Sequence, residues 1–121
     1  MASLFSGAHW RIAQCRICLE RDASSGIIPA TAQLDVDGCY VAVARVLDEA
    51  SVEIEAAGAR LDGEERFVEQ FVGECLLLTQ GMFRAMYTER SPRALCRVAD
   101  RLGARAVGLR EHLWARLERV A

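Results

Sequence analysis

The chain contains no lysine, only two histidines and two prolines, and only 7% aromatic residues. All fifteen basic residues are arginine, which coding bias in a GC-rich genome explains more simply than function does. No stretch approaches the roughly 18 uncharged apolar residues of a membrane-spanning helix. The segment Met1–Trp10 also lacks the basic region and apolar run of a secretory signal. We therefore expect a cytoplasmic protein that has no contact with a membrane.

Sequence signatures of catalysis are missing as well. The chain has no Gly-rich phosphate loop, no Gly-x-Ser-x-Gly nucleophile turn and no dinucleotide-binding fingerprint. Its histidines, His9 and His112, have no neighbouring pattern of carboxylate and nucleophile that would indicate acid–base chemistry. The sequence therefore favours a non-enzymatic protein with no catalytic residues, no metal and no cofactor.

Five cysteines cannot all pair within one chain. Together with the lack of a secretory signal, this odd number favours free thiols in a reducing compartment. Cys15-Arg-Ile-Cys18-Leu-Glu20 resembles the opening of a RING-type zinc finger, but the resemblance ends there. No second Cys-x-x-Cys exists to complete a four-cysteine site. We predict buried structural cysteines. The alternatives are a zinc ion held by Cys15, Cys18 and a histidine such as His9 or His112, or a redox pair.

The chain is rich in apolar residues and short enough for one domain. Its 121 residues are 52% hydrophobic, so we expect a single helical domain over residues 1–121. The apolar content exceeds what is typical of globular domains, which suggests a second buried surface. The simplest such surface is a self-association interface, most often that of a homodimer.

Apolar residues recur every three or four positions in four segments, the spacing of one helix face. The first runs from about Ser6 to Asp22. The third begins near Asp62, which with Glu65 fits the logic of a capping box, and the fourth begins at Ser91-Pro92. One face of the third segment carries Phe67, Phe71, Cys75, Leu78, Met82 and Ala85. The second segment is the clearest, and its stripe is Tyr40, Val43, Leu47, Ala50, Ile54, Ala57 and Leu61. These segments predict an all-α bundle of four or five helices.

One region has a competing interpretation. Residues 31–46 alternate apolar and polar side chains around Asp37-Gly38, a pair preferred in tight turns, so an α+β fold with a β-hairpin there is the alternative. We favour a helix, capped by Asp37, because the helical spacing persists much longer than the alternation. Gly103 and Gly108 weaken the last segment, which could form two helices.

Acidic and basic residues are separated along the sequence. Residues 34–74 carry eleven acidic residues and three arginines, and residues 89–121 carry eight arginines and four acidic residues. We expect the two zones to neutralise each other within the fold or across a dimer. The acidic set invites comparison with all-helical, magnesium-dependent nucleotide hydrolases of the MazG type. It lacks their Glu-x-x-Glu and Glu-x-x-Asp spacings, so capping and surface solvation account for Glu49, Glu53, Glu64, Glu65, Glu69 and Glu74.

The arginines near the C-terminus support an alternative function. Val98-Ala-Asp-Arg-Leu-Gly103, followed by Leu109, loosely resembles a helix-turn-helix DNA-binding unit. That resemblance implies a DNA-binding regulator that uses residues 92–121, with phosphate or base contacts from Arg97, Arg101, Arg105 and Arg110. The leading hypothesis is a small interaction or regulatory protein that acts through protein–protein contacts. A metal-dependent nucleotide hydrolase is the third.

Overall fold

The computed structural model describes residues 4–23, 33–88 and 91–121. Within these ranges the chain forms four α-helices: α1 (Leu4–Ala23), α2 (Gln33–Ala57), α3 (Glu65–Thr88) and α4 (Pro92–Arg119). A short 3₁₀ helix, Gly58–Leu61, follows α2. The described ranges contain no strand, and the all-α prediction is confirmed.

The hairpin alternative is wrong over residues 33–46, because α2 begins at Gln33 and includes Asp37 and Gly38. Asp37 therefore lies inside the helix and is not its cap. The helical spacing prevails because it buries a row of apolar side chains along two thirds of the helix, whereas the alternation could bury only a few. That row is Val43, Leu47, Ala50, Ile54 and Ala57. Residues 31 and 32 and the side chain of Tyr40 lie outside what the structure describes.

The last predicted segment forms one helix, so the suggested division at Gly103 and Gly108 is wrong. A glycine in a helix interior costs about 1 kcal/mol relative to alanine. Burial of an apolar row outweighs this cost, and the row comprises Leu95, Ala99, Leu102, Ala106 and Leu113. The predicted start is confirmed, since the Ser91 hydroxyl accepts a hydrogen bond from the Ala94 N–H at 3.4 Å and Pro92 occupies the first turn.

The connection between α2 and α3 turns through two glycines with positive φ, Gly58 at 49° and Gly63 at 89°. The α3 helix begins at Glu65, later than a cap at Asp62 would place it. The Glu65 carboxylate accepts a hydrogen bond from the Gly63 N–H at 3.1 Å. Hydrogen bonds from its own N–H and from that of Gly63 lower the pKa of Glu65. A hydrogen bond between Gly63 and Glu65 thus stands at the start of α3 in place of the predicted cap at Asp62.

Each helix packs against two others, in the order α1, α2, α4, α3 around the bundle. Side-chain contacts give the directions. His9 approaches Glu55 and Arg16 approaches Asp48, so α1 and α2 are antiparallel. The pairs of Glu49 with Arg110 and Glu53 with Trp114 make α2 and α4 parallel. Arg11 with Glu69 and Cys15 with Thr79 make α1 and α3 parallel, and the ion pairs of α4 with Glu64 and Glu74 make α3 and α4 antiparallel. The consecutive helices α2 and α3 therefore lie diagonally across the bundle.

The core lies along the bundle axis and contains the apolar rows that the sequence predicts. On α3 the predicted row of Phe67, Phe71, Cys75, Leu78, Met82 and Ala85 is entirely buried. Thr79 is the buried polar residue among those described, and its hydroxyl donates to the Cys75 carbonyl at 3.1 Å. In the described part of the chain, no helix has the length and apolarity that a membrane span requires.

Two adjacent leucines of α3 test this placement. Leu78 is fully buried and Leu77 is half exposed. We expect Leu78→Ala to lower the free energy of unfolding by about 2–5 kcal/mol, because it leaves a cavity. The matched control, Leu77→Ala, should lower it by roughly 0.5 kcal/mol or less. Urea denaturation followed by circular dichroism measures both, and equal losses would contradict the assigned core.

Candidate interaction surface

The acidic zone of the sequence neutralises part of the basic zone within the fold. Arg105 of α4 contacts Glu74 of α3 at 3.0 Å, and Arg116 contacts Glu64, just before α3, at 3.1 Å. On the other side of α4, the Arg110 guanidinium lies 3.9 Å from the Glu49 carboxylate of α2. The arginine-rich helix α4 is thus placed between the two parts of the chain that carry most of the carboxylates.

This pairing divides the four arginines predicted to bind nucleic acid. Arg105 and Arg110 are engaged with Glu74 and Glu49. Arg97 and Arg101 are exposed on α4, and neither forms an ion pair with a residue that the structure describes. Because α4 is continuous through Gly103, the turn required by the helix-turn-helix resemblance is not formed, and that structural prediction is wrong. DNA binding itself stays a prediction.

The Arg110 side chain also takes part in a polar cluster with an exposed tryptophan. Its guanidinium lies 4.9 Å from the centre of the Trp114 ring, a cation–π geometry. The Trp114 indole N–H donates to both oxygens of Glu53 at 2.9 Å. These contacts hold α2 against α4. They also explain the position of the exposed Trp114 side chain, which contributes to packing within the bundle.

The acidic residues are dispersed rather than convergent. Glu69 accepts two hydrogen bonds from Arg11, at 3.0 and 3.1 Å, and the other carboxylates of the set contact different residues. Among the described residues, no three of the His, Cys, Asp and Glu side chains lie close enough together to hold a metal ion. The geometry therefore supports neither the magnesium-dependent hydrolase nor a zinc site at Cys15 and Cys18.

The two histidines lie in separate places. The His9 Nε2 atom is 3.9 Å from the Glu55 carboxylate, and the Ser51 hydroxyl donates to the His9 backbone carbonyl rather than to its ring. His112 packs against Phe67 with ring centres 5.3 Å apart. In the described ranges, neither histidine is placed to activate a hydroxyl or thiol.

None of the cysteine side chains that the structure describes forms a disulfide, and three of them lie where α1 meets α3. Cys15 and Cys75 are buried, while Cys18 is partly exposed in a surface groove. Burial raises the pKa of the Cys15 thiol, and its hydrogen bond with Thr79 opposes that shift. Burial, followed by the proximity of Cys15 and Glu74, raises the pKa of Cys75 to about 12. The buried thiols therefore stay protonated and unreactive near neutral pH.

The remaining feature is a set of large apolar side chains exposed on the outer sides of the adjacent helices α1 and α3. We define the α1–α3 face by the side chains Trp10, Ile17, Leu76, Gln80 and Phe83. Trp10 and Ile17 are seven residues apart on the side of α1 opposite its buried residues. Leu76, Gln80 and Phe83 follow one another at helical spacing on α3. They line a groove with Cys18 of α1, which brings the two helices into one surface.

Charged side chains lie at the ends of this face. The Arg11–Glu69 ion pair bounds it at one end, and Arg84 lines the groove at the other. Between Glu69 and Arg84, the only charged residue of α3 is Glu74, which turns away to bind Arg105 of α4. The face is therefore apolar and uncharged over most of the length of α3.

The sequence contained a signal for this face that we did not use. Leu76 and Phe83 are large apolar residues that fall outside the buried row of α3, and Trp10 and Ile17 fall outside that of α1. A helix with apolar residues on its core side and also on the opposite side carries more apolar surface than packing within the bundle can bury. The apolar excess predicted a second buried surface without identifying its residues, and that surface stays a prediction.

The thiol environments give a prediction. We expect a brief treatment with iodoacetamide at pH 8 to alkylate Cys18, while Cys15 and Cys75 resist, because they are buried and protonated at that pH. Peptide mass spectrometry quantifies each site, and alkylation in urea provides the control in which all become reactive. Rapid alkylation of Cys75 in the folded protein would contradict the packing of α1 on α3.

The α1–α3 face is the candidate functional site, because it combines large exposed apolar side chains with a surface groove. Trp114 and three of the α4 arginines form polar contacts within the bundle. A search of protein-family models, curated proteins and solved structures finds no match to this chain. The interpretation of the site therefore rests on its own residues.

Proposed function

We propose that this protein is a non-enzymatic interaction protein that binds another protein through the α1–α3 face. The observation that supports this is the exposure of four large apolar side chains on the outer sides of two adjacent helices. Trp10, Ile17, Leu76 and Phe83 have 60%, 53%, 47% and 42% of their surfaces exposed. These fractions leave on the order of 400 Å² of side-chain surface in water, the size of patch that is often functional in a monomer.

The composition of the face suits a protein partner. Aromatic residues are enriched at the centres of protein interfaces, and charged residues are depleted there. Trp10 and Phe83 supply rigid aromatic surface, and Gln80 offers an uncharged donor and acceptor within it. The Arg11–Glu69 pair and Arg84 occupy the rim, where charges remain hydrated and contribute to orientation more than to affinity.

The partner belongs to one of two classes, a second copy of this chain or a different protein with a complementary apolar surface. A reducing cytoplasm is the proposed location, because no disulfide joins the described thiols of Cys15, Cys18, Cys75 and Cys96. A regulatory role would follow from competition for the face or from occupancy that depends on concentration.

Site-specific photocrosslinking in the organism that encodes the protein tests this function. A photoreactive phenylalanine derivative at Gln80 should yield a discrete adduct, because this position lies within the face. The same group at Val52, an exposed residue on the outer side of α2, is the matched control and should yield none. Mass spectrometry of the adduct identifies the partner. Absence of an adduct from Gln80, or identical adducts from both positions, would contradict the proposal.

DNA binding by the N-terminal half of α4 is the second candidate function. Arg93, Arg97 and Arg101 follow one another every four residues and are all exposed. None forms an ion pair with a described residue, in contrast to Arg105, Arg110 and Arg116. This row could contact the phosphates of a duplex without reading its bases. This candidate has less support than the α1–α3 face, since its support comes from charge alone.

Fluorescence anisotropy with labelled duplex DNA at several salt concentrations tests this candidate. If the row binds phosphates, Arg97→Ala and Arg101→Ala should each weaken binding and reduce the slope of log K against log salt by roughly 0.9. Arg105→Ala is the control, because Arg105 is already paired with Glu74. No binding at low salt would eliminate this candidate, and an equal loss with Arg105→Ala would contradict the assignment to this row.

A further inference from the structure

We propose that the protein bound by the α1–α3 face is a second copy of this chain, docked about a two-fold axis with its α3 antiparallel to the first. This inference rests on the proposed function and adds the identity and orientation of the partner. It depends on three properties of α3: the spacing of its outer residues, the shape of its surface and the charges at the ends of the face.

The outer residues of α3 have the spacing of a helix–helix seam. Glu69, Gly73, Leu76, Gln80 and Phe83 follow one another at steps of four, three, four and three residues. This alternation keeps one line of side chains facing a neighbouring helix, as in coiled coils. The buried row of α3, which includes Cys75, Leu78 and Met82, already contacts the rest of the bundle. The outer seam thus has the pattern of a second contact.

The outer seams of two copies of α3 are complementary in shape when the helices are antiparallel. In an antiparallel pair centred between Leu76 and Gln80, Phe83 of each copy lies opposite Gly73 of the other, and Leu76 lies opposite Gln80. A Cβ atom built on Gly73 has no atom within 4 Å, so the surface there is open. Gly73 lines a groove between α3 and α4 together with Leu77 and Leu109, beside the α1–α3 face. The opening can receive the ring of Phe83 from the second copy, a large residue against a small one.

The charges select the antiparallel orientation. Glu69 and Arg84 are fifteen residues apart, which is about 22 Å along a helix. An antiparallel pair brings Glu69 of each copy near Arg84 of the other, giving two ion pairs related by the two-fold axis. A parallel pair would bring Glu69 to Glu69 and Arg84 to Arg84. Like charges at an interface are unfavourable, so the complementary arrangement is the antiparallel one.

The area of the face agrees with a dimer of ordinary size. A stable interface buries about 800 Å² on each partner, somewhat more than half of it apolar. The exposed surface of Trp10, Ile17, Leu76 and Phe83 supplies on the order of 400 Å². The uncharged Gln80 and the rim charges supply polar surface for the remainder.

Charge reversal in a mixing experiment tests the second copy and its orientation together. Sedimentation velocity over a wide concentration range should show the wild type as two chains of 13.4 kDa each. Glu69→Arg and Arg84→Glu should each raise the dimer dissociation constant at least about tenfold, because each variant places like charges opposite one another twice. An equimolar mixture of the two variants should dimerise with near wild-type affinity, because one contact is then restored with reversed sign and the other is the wild-type pair of Glu69 with Arg84.

Control variants separate this effect from damage to the fold. Arg60→Glu changes the charge of an exposed residue outside the face and should leave the dissociation constant unchanged. Arg11→Gln removes the partner of Glu69 within the chain and shows how much of the Glu69→Arg effect is intramolecular. Thermal unfolding of each variant, followed by circular dichroism, should show an intact helical fold. Leu76→Glu should abolish the dimer.

A wild type that remains monomeric at all concentrations would overturn the inference, as would two variants that fail to associate when mixed. A dimer that Leu76→Glu does not dissociate would also overturn it, because the contact would then lie elsewhere. If the chain is monomeric and Gln80 crosslinks to a different protein, the inference fails and the proposed function stands. If Gln80 gives no adduct at all, both fail.

Discussion

Burial of the inner row of α3 between α1 and α4 is the constraint on which the rest of this structure depends. Cys75, Leu78 and Met82 are fully buried there, and Thr79 satisfies its hydroxyl within its own helix. Apolar burial of this kind supplies the main favourable free energy of folding. Because α3 contacts α1 on one side and α4 on the other, α2 must pack on the far side of the bundle, against the same two helices.

The ion pairs between α4 and the acidic helices contribute in a different way. Exposed pairs such as Arg105–Glu74 contribute about 0–1 kcal/mol each, far less than a buried leucine. Their effect is on specificity, because a different helix order would leave like charges facing each other. The C-terminal half of α4 is thereby neutralised, whereas Arg93, Arg97 and Arg101 remain exposed beyond the reach of the acidic zone.

Much of the fold could be predicted from the sequence, because helical spacing is a local property. Every described residue of the predicted α2 and α3 rows is buried, and the start of α4 at Ser91-Pro92 is confirmed. The hairpin alternative and the division of α4 failed for one reason. Local turn signals at Asp37-Gly38 and Gly103 were outweighed by the burial of long apolar rows.

The diagonal placement of α2 and α3 could not be predicted, since it depends on contacts between residues far apart in sequence. A short connection usually joins neighbouring antiparallel helices. Here the positive-φ glycines Gly58 and Gly63 and the 3₁₀ turn between them redirect the chain across the bundle end. Arg105 pairs with Glu74 and Arg110 with Glu49, which removes both arginines from the predicted nucleic-acid surface. These pairs could not be predicted either, because they also join residues far apart in sequence.

Two glycines of α3 show how the fold and the candidate site make separate demands on one helix. A Cβ atom at Gly81 would lie 3.1 Å from Leu102, so the close packing of α3 on α4 explains that glycine. A Cβ atom at Gly73 would meet nothing, and alanine there would favour the helix by about 1 kcal/mol. Gly108 on α4 is equally open, so an open glycine alone does not mark a site. What distinguishes Gly73 is its place in an apolar seam, where the missing side chain leaves room for one from outside.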